Sequence, residues 1–167
     1  MPSPTLKFFA PAWPHLRAFD AWAAPLVKHA VADHLCYHCS SHEEYERLRA
    51  MFEPDSRFMH QAWISGRRIA VIRFNLPLGT ALGFIRVLEL SDQKPDGSQT
   101  SRFDHVEIYP RTGGIEELAL IVAGIGTELK LSAKAHHTTY DARLADGFRV
   151  RLEPEALLTK IAREEMT

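Results

Sequence analysis

The chain has 167 residues, 46% hydrophobic and 25% charged, a composition typical of one soluble globular domain that can bury a core. Its formal net charge of −1 gives no reason to expect nucleic acid or an anionic membrane as a partner. No apolar segment approaches the ~20 residues that span a bilayer, and the N-terminus lacks the pattern of a signal peptide. We therefore expect a cytoplasmic protein.

The first half of the chain predicts two helices and four strands. Apolar residues at intervals of three or four indicate the helices, and short apolar segments between turn residues indicate the strands. Pro25 should kink the first helix, and a serine followed three residues later by glutamate should cap the second. In chain order we expect an irregular segment 1–12, a helix 14–28, a strand 32–39, a helix from Ser40 or Ser41 to before Pro54, strands 58–64 and 69–74, a turn 76–79 and a strand 82–90.

The second half repeats the order of the first. The polar residues 91–100 resemble a linker and separate the two halves. After them we expect a strand 103–109, a helix 114–123, strands 129–133, 138–143 and 148–152, and a short helix from Pro154 to Glu164. Each half thus predicts strand, helix, strand, strand, strand. We therefore predict a single α+β domain over 1–167 that contains two βαβββ modules, at about 30–92 and 102–154.

Two sequence echoes support this repeat. An Asp-His dipeptide begins the first predicted strand of each half and places its histidine at His34 and at His105, which are 105 − 34 = 71 residues apart. A glutamate stands five residues after a phenylalanine near the end of the last strand of each half, at Glu89 and at Glu153.

These four residues predict a divalent metal site. If a pseudo-twofold axis relates the halves, His34 and His105 point to one location between them, and Glu89 and Glu153 complete the ligand set. Two imidazoles and two carboxylates suit zinc, nickel, cobalt, iron or manganese. Four protein ligands would also leave one or two positions for exchangeable water, as in a catalytic site. Taken singly, each residue is more often a hydrogen-bonded histidine or a solvated glutamate, so the prediction depends on the joint pattern.

Other polar residues near these strands are expected to have structural positions. Cys36 and Cys39 have C-x-x-C spacing, but positions three apart on a strand face opposite sides, so we expect two free thiols. For His38 and Glu107, each two or four residues after a predicted histidine ligand on the same strand face, a place at the rim or in packing is favoured over one in the site. The pair His136-His137 is expected in a loop or at a strand edge.

Several short segments carry a resemblance to a known family. They are Ala32-Asp33-His34-Leu35, the helix 43–52, Gly66-Arg67-Arg68-Ile69, Val87-Leu88-Glu89-Leu90, Asp104-His105-Val106-Glu107-Ile108 and Ala145-Asp146-Gly147. In these segments, which span about 15–165, the chain resembles the vicinal oxygen chelate superfamily and, within it, the YecM-type family of small bacterial proteins. The resemblance implies two βαβββ modules paired as a half-barrel with mixed sheets around a divalent metal ion.

The resemblance also implies the metal ligands. The superfamily places a histidine on the first strand of each module, here His34 and His105, and an acidic ligand on the last strand, here Glu89 and Glu153. A histidine can stand at the position of Glu153 in the YecM-type pattern, so the identity of the fourth ligand stays open.

Members of the superfamily include isomerases, lyases and dioxygenases, and a metal-dependent enzyme of one of these classes is the first expectation. Its small-molecule substrate would chelate the ion through oxygens on two adjacent atoms, and Glu153 would leave the metal to act as a proton-transferring base. The alternative is a non-catalytic small-ligand-binding protein of the same fold; a third is a relative that binds nothing. The chain is expected to be a monomer or a homodimer.

Overall fold

A computed structural model of the protein describes residues 3–135 and 137–165. Within these residues the chain forms one mixed eight-stranded sheet that is not closed into a barrel, together with five α-helices. The order of elements contains two successive βαβββ units, which confirms the predicted α+β class and its repeat. No helix in the described part of the chain is long and apolar enough to cross a membrane.

The helices and strands have the following boundaries, each set given in chain order. The helices are α1 (Pro4–Phe9), α2 (Trp13–Ala23), α3 (His42–Phe52), α4 (Ile115–Gly124) and α5 (Leu157–Glu165). The strands are β1 (Ala30–His38), β2 (Ser56–Ile64), β3 (Arg67–Thr80), β4 (Gly83–Ser91), β5 (Arg102–Pro110), β6 (Lys130–Lys134), β7 (His137–Arg143) and β8 (Arg149–Leu152). In the sheet they lie in the order β2-β3-β4-β1-β5-β8-β7-β6.

The two halves of the sheet are arranged alike about its centre. In the first half β1 pairs in parallel with β4, and in the second half β5 pairs in parallel with β8. The antiparallel pair β1–β5 joins the halves. Each of these two central strands carries one extra residue that the partner strand does not match, Asp33 on β1 and Asp104 on β5. Such β-bulges redirect side chains, and here each one immediately precedes a histidine.

Apolar packing covers one face of the sheet. Helices α1 to α4 place buried side chains such as Phe19 and Leu118 over strand residues such as Leu35, Leu88 and Val106. The opposite face, called here the site face, carries the alternating polar residues of β1 and β5. Helix α5 runs over this second face. The amide of Leu157, its first residue, donates to Asp33 Oδ2 at 2.9 Å. Oε1 of Glu165, its last residue, lies 3.2 Å from His60 Nδ1 on β2.

The prediction of an irregular N-terminal segment is wrong. Residues Pro4–Phe9 form α1, because Ser3 accepts a hydrogen bond from the Leu6 amide at 3.2 Å and Pro4 fits the first helical position. The rings of Phe8 and Phe9 then pack on Phe52 of α3, with centroids 5.3 and 5.8 Å away. The proline content suggested an irregular segment, but proline at the start of a helix costs nothing in hydrogen bonds.

The predicted turn at 76–79 is also wrong. Strand β3 continues to Thr80, past an irregularity in its pairing with β4 between Arg73 and Leu78, and the chain reverses only at Ala81 and Leu82. The irregularity contains Pro77, which cannot donate to a ladder. The pattern Leu-Pro-Leu-Gly was therefore interpreted as a turn where it marks a bulge inside a long strand.

The predicted serine cap of α3 is present and can be tested by substitution. Ser41 Oγ accepts from the Glu44 amide at 3.0 Å, and the Glu44 side chain accepts from the Ser40 amide at 2.8 Å. Replacing Ser41 with alanine is expected to lower the free energy of unfolding by about 1 kcal/mol, measured by urea denaturation. Ser98→Ala, in an exposed loop, is the control, and an equal effect in both variants would contradict the role of the cap.

Candidate metal centre

The two Asp-His dipeptides form equivalent units at the centre of the sheet. Asp33 Oδ2 lies 2.6 Å from His34 Nδ1, and Asp104 Oδ2 lies 2.8 Å from His105 Nδ1. The bulge at each aspartate lets its carboxylate reach the ring of the next residue. A carboxylate bound to one ring nitrogen fixes the ring and leaves the other nitrogen for a metal, an arrangement common around metal-binding histidines.

The two free ring nitrogens meet at the carboxylate of Glu107. Glu107 Oε2 lies 2.9 Å from His105 Nε2 and 3.1 Å from His34 Nε2. Glu89 Oε2, from the neighbouring strand β4, lies 3.8 Å from His34 Nε2. Both histidines and Glu107 are buried, with exposed fractions of 0%, 3% and 7%. The site face therefore brings two imidazoles and two carboxylates together inside the protein.

The residues of this centre fit a divalent metal ion. One ligand atom each from His34, Glu89 and Glu107 lies within 4.8 Å of the other two. Nε2 of His34 is fully buried, and although Glu107 Oε2 lies 3.1 Å away, the two atoms do not have the geometry of a hydrogen bond. Buried polar atoms almost always have a well-aligned partner, so a nitrogen directed at carboxylates without such a bond suits a metal ligand. Imidazole and carboxylate are the donors expected for zinc, nickel, cobalt, iron or manganese.

The pKa values of His34 and Glu107 are shifted in opposite directions, and both shifts favour the charged forms that pair with each other. Burial disfavours the charged form of His34, but the carboxylates of Glu107 and Asp33 outweigh it and raise its pKa. Burial likewise opposes ionisation of Glu107, but His34 and His105 outweigh it, so that the pKa of Glu107 falls well below its usual value. Metal ligands must be deprotonated, so a metal ion that binds here displaces protons from the imidazoles.

Glu153 lies apart from this centre. It follows the last residue of β8, and its Oε2 lies 2.5 Å from Nε2 of His137 at the start of β7. Burial and the charge of Glu107 raise the pKa of Glu153. A cavity of about 360 Å³ adjoins this pair, between β8 and helix α5, and its wall includes Lys160 and Arg163. Glu153 is thus a partly buried carboxylate that faces space large enough for a small molecule.

The strand register shows which residue of the second half corresponds to Glu89. In the first half, His34 lies opposite Val87 and Cys36 lies opposite Glu89. In the second half, His105 lies opposite Arg149 and Glu107 lies opposite Arg151. The place that Glu89 has on β4 is therefore taken on β8 by Arg151. Glu153 stands two residues farther along the chain.

The predicted ligands are thus distributed unevenly. Glu89 lies beside His34, and His105 reaches the same centre through its contact with Glu107. Glu153 contacts His137 instead, and its role as the fourth ligand stays a prediction. We expected Glu107 at the rim or in packing, but its carboxylate lies between the two histidines. Its alternation with His105 on one strand was the available signal, because a residue two positions from an inward-facing histidine shares its face. His136 lies outside the described residues.

Both thiols are free, as predicted. Cys39 packs in the apolar core, whereas Cys36 faces the site and its Sγ lies 3.6 Å from Glu89 Oε1. Cys36 stands two residues after His34, as Glu107 stands two residues after His105. Burial and the nearby carboxylates of Glu89 and Glu107 raise the pKa of Cys36. Without a cation beside it, this side chain is therefore a neutral thiol.

The two supporting aspartates differ in their other partners. Asp104 accepts hydrogen bonds from Arg102 at 2.9 Å and from Arg149, whereas Asp33 accepts from the Leu157 amide of α5. Burial disfavours ionisation of Asp104, but His105, His38 and Arg149 outweigh it and hold its pKa well below the usual range.

A second cavity, of about 870 Å³, lies between α2 and the β6–β8 part of the sheet, and Arg149 forms part of its wall.

Comparisons with known proteins agree with this architecture. The family model described as YecM protein matches residues 16–152. No curated protein matches the chain in sequence. Protein EC4020, a structural genomics target, has a TM-score of 0.69 at 22% identity, over 96% of this chain and 93% of that chain.

Two structures of named enzymes are also similar. Hydroxyglutarate synthase from Oryza sativa, solved in complex with 2-oxoadipate, has a TM-score of 0.58 at 10% identity, over 97% of this chain and 85% of that chain. Methylmalonyl-CoA epimerase from Mycobacterium tuberculosis has a TM-score of 0.48 at 13% identity, over 78% of this chain and 91% of that chain. At such identities a likeness concerns the fold alone.

Proposed function

The chain belongs to the YecM protein family, and we propose that it is a divalent-metal protein that acts on a small molecule with oxygens on two adjacent atoms. The observation that carries the proposal is the convergence of two Asp-oriented imidazoles on buried carboxylates, with Nε2 of His34 buried among them and not aligned for a hydrogen bond. In this proposal His34, His105 and Glu89 are ligands and one further carboxylate completes the set. The closeness of His34 to Glu89 and the contact of His105 Nε2 with Glu107 at 2.9 Å support it.

The protein side of the chemistry follows from this arrangement. A bound divalent ion would act as a Lewis acid that stabilises negative charge on a substrate oxygen. Asp33 and Asp104 would hold the two imidazoles in the ligand orientation. The wall formed by α5 would limit the access of water to the site face. Lys160, in the wall beside Glu153, offers positive charge to an acidic substrate, whereas Arg163 in the same wall is paired with Glu155 at 2.5 Å.

Glu153 is our candidate for the proton-transferring base. Its carboxylate borders the cavity beside α5, and His137 holds it in place. A raised pKa suits a group that exchanges protons near neutral pH. Small 2-oxo acids carry a keto oxygen and a carboxylate oxygen on adjacent carbons, and 2-oxoadipate, the ligand of the rice structure, is such a compound.

We expect Glu153→Gln to lower the rate of proton exchange at the carbon next to the keto group of 2-oxo acids by about 10²–10⁴-fold. The measurement is the loss of the proton signal in heavy water by nuclear magnetic resonance, with cobalt-loaded protein and 2-oxoadipate among a panel of 2-oxo acids. Glu116→Gln is the control, because Glu116 is an exposed glutamate in the first turn of α4. Equal exchange in wild type and Glu153→Gln would remove Glu153 from this role.

Metal content separates the proposed enzyme from its alternatives. Purified wild-type protein is expected to retain close to one equivalent of a divalent ion, measured by elemental analysis. Retained metal without exchange or other turnover over the panel would favour the non-catalytic ligand-binding protein. A wild-type protein that neither retains nor takes up a divalent ion would contradict the proposed function.

A further inference from the structure

We propose that Glu107, and not Glu153, is the fourth protein ligand of the metal ion. The inference rests on the proposed metal site and concerns which side chain completes it. In this assignment the ion binds to His34, His105, Glu89 and Glu107. Glu153 stays with His137 and is free to act on a substrate.

The distances separate the two candidate carboxylates. Glu107 Oε2 lies within 3.1 Å of both imidazole Nε2 atoms, and Glu107 belongs with His34 and Glu89 to the one group of potential ligands found in the described residues. Glu153 has neither contact, and its Oε2 is bound to His137 at 2.5 Å. To reach the ion, Glu153 would have to break that contact, whereas Glu107 is already between the imidazoles.

The register gives a second, independent argument. Glu89, the carboxylate ligand on β4, is paired with Cys36, which stands two residues after His34 on β1. The equivalent place in the second half is Arg151, opposite Glu107, and its guanidinium pairs with Asp141 at 3.0 Å. A cation in that place cannot be a ligand. The second half therefore supplies its carboxylate from the adjacent strand, at the position that Cys36 has in the first half.

The charges around Glu107 fit a ligand that loses its present partners on metal binding. His105 faces a carboxylate at each ring nitrogen, with Asp104 Oδ2 2.8 Å from Nδ1 and Glu107 Oε2 2.9 Å from Nε2. A divalent ion between the two Nε2 atoms and Glu107 would supply the positive charge that this buried carboxylate requires.

The first test compares cobalt affinity in two matched variants by titration calorimetry. Loss of a residue that only supports a ligand weakens metal binding by about 10–100-fold, so loss of a direct ligand, Glu107→Gln, is expected to weaken Co²⁺ binding by more than about 100-fold. Glu153→Gln should bind within about twofold of wild type. The intensity of the visible Co²⁺ absorption, which reports coordination number, should change in Glu107→Gln alone. Loss of affinity in Glu153→Gln with Glu107→Gln unchanged would overturn the assignment.

A second measurement uses the wild-type protein and so avoids any effect of a substitution on folding. In a crystal structure of cobalt-loaded protein, a Glu107 oxygen is expected about 2.0–2.2 Å from the ion, with Glu153 still bound to His137. An ion bound to Glu153 and not to Glu107 would refute the inference but leave the proposed function intact. An ion ligated by Cys36 in place of Glu107 would also refute it, and Cys36→Ser would then remove a sulfur-to-cobalt absorption band. Failure of the wild type to bind Co²⁺ would refute both proposals.

Discussion

Replacement of His34 or His105 with alanine is expected to abolish stable binding of a divalent ion. Each imidazole comes from a different half of the sheet, and each is already oriented by its own aspartate. Removal of either one leaves a single nitrogen donor with carboxylates, which bind zinc, nickel and cobalt far less tightly than a mixed set does. Elemental analysis after purification, and calorimetric titration with Co²⁺, measure the loss.

His29→Ala is the matched control for both variants, because His29 is exposed just before β1. It should retain the metal content of the wild type. Far-ultraviolet circular dichroism should be unchanged in all three variants, which shows that lost metal does not reflect lost fold. If His34→Ala and His105→Ala both keep full metal content, the ion is bound elsewhere and the centre described here is not a metal site.

Asp104→Asn is expected to cause the largest loss of stability among single changes at the centre. Asp104 is 5% exposed and accepts hydrogen bonds from Arg102, Arg149 and His105. A neutral amide removes the nearest countercharge of Arg149, which then faces only Asp141, 3.9 Å away. This loss inside the protein should lower the free energy of unfolding at pH 7 by roughly 3 kcal/mol. Urea denaturation measures this change.

The pH dependence of stability gives the same prediction a second readout. The pKa of Asp104 is lower in the folded protein than in the unfolded chain, where it is about 3.9. Its contribution is therefore fully present above about pH 4 and is lost as the pH falls further and the carboxylate takes up a proton. The difference in unfolding free energy between wild type and Asp104→Asn should consequently narrow in acid.

Asp33→Asn is the internal control for Asp104→Asn. Asp33 has the same place in its bulge and the same contact with a histidine, but its other contact in the described structure is an amide of α5 and not an arginine. The loss of stability should therefore be smaller, at about 1 kcal/mol. Equal losses in the two variants would show that the arginines add nothing to the stability provided by Asp104.

The sequence predicted the overall architecture because its signals are local and repeated. Alternating apolar strands, a capped helix at Ser41 and turn residues identified most elements, and the echo of Asp-His identified the duplication. The errors at 1–12 and 76–79 have one cause. Proline was interpreted as a breaker at both places, whereas Pro4 begins a helix and Pro77 lies in the irregular part of a long strand.

The ligand set was harder to predict because strand register is a tertiary property. The spacing from phenylalanine to glutamate suggested that Glu89 and Glu153 are equivalent, but the pairing of β5 with β8 gives that place to Arg151. A shift of two residues keeps a side chain on the same face of a strand. Periodicity alone therefore cannot distinguish Arg151 from Glu153, and only the pairing of the strands does so.

If the proposed ion binds across the antiparallel pair β1–β5, metal retention measures whether the two halves of the sheet are in contact. Each half contributes one imidazole, so an opening that separates β1 from β5 divides the ligands although every strand within each half keeps its neighbours. Ion release would then precede the loss of secondary structure on heating or in denaturant. Conversely, an ion bound between β1 and β5 adds its binding free energy to the association of the two halves and stabilises the contact between them.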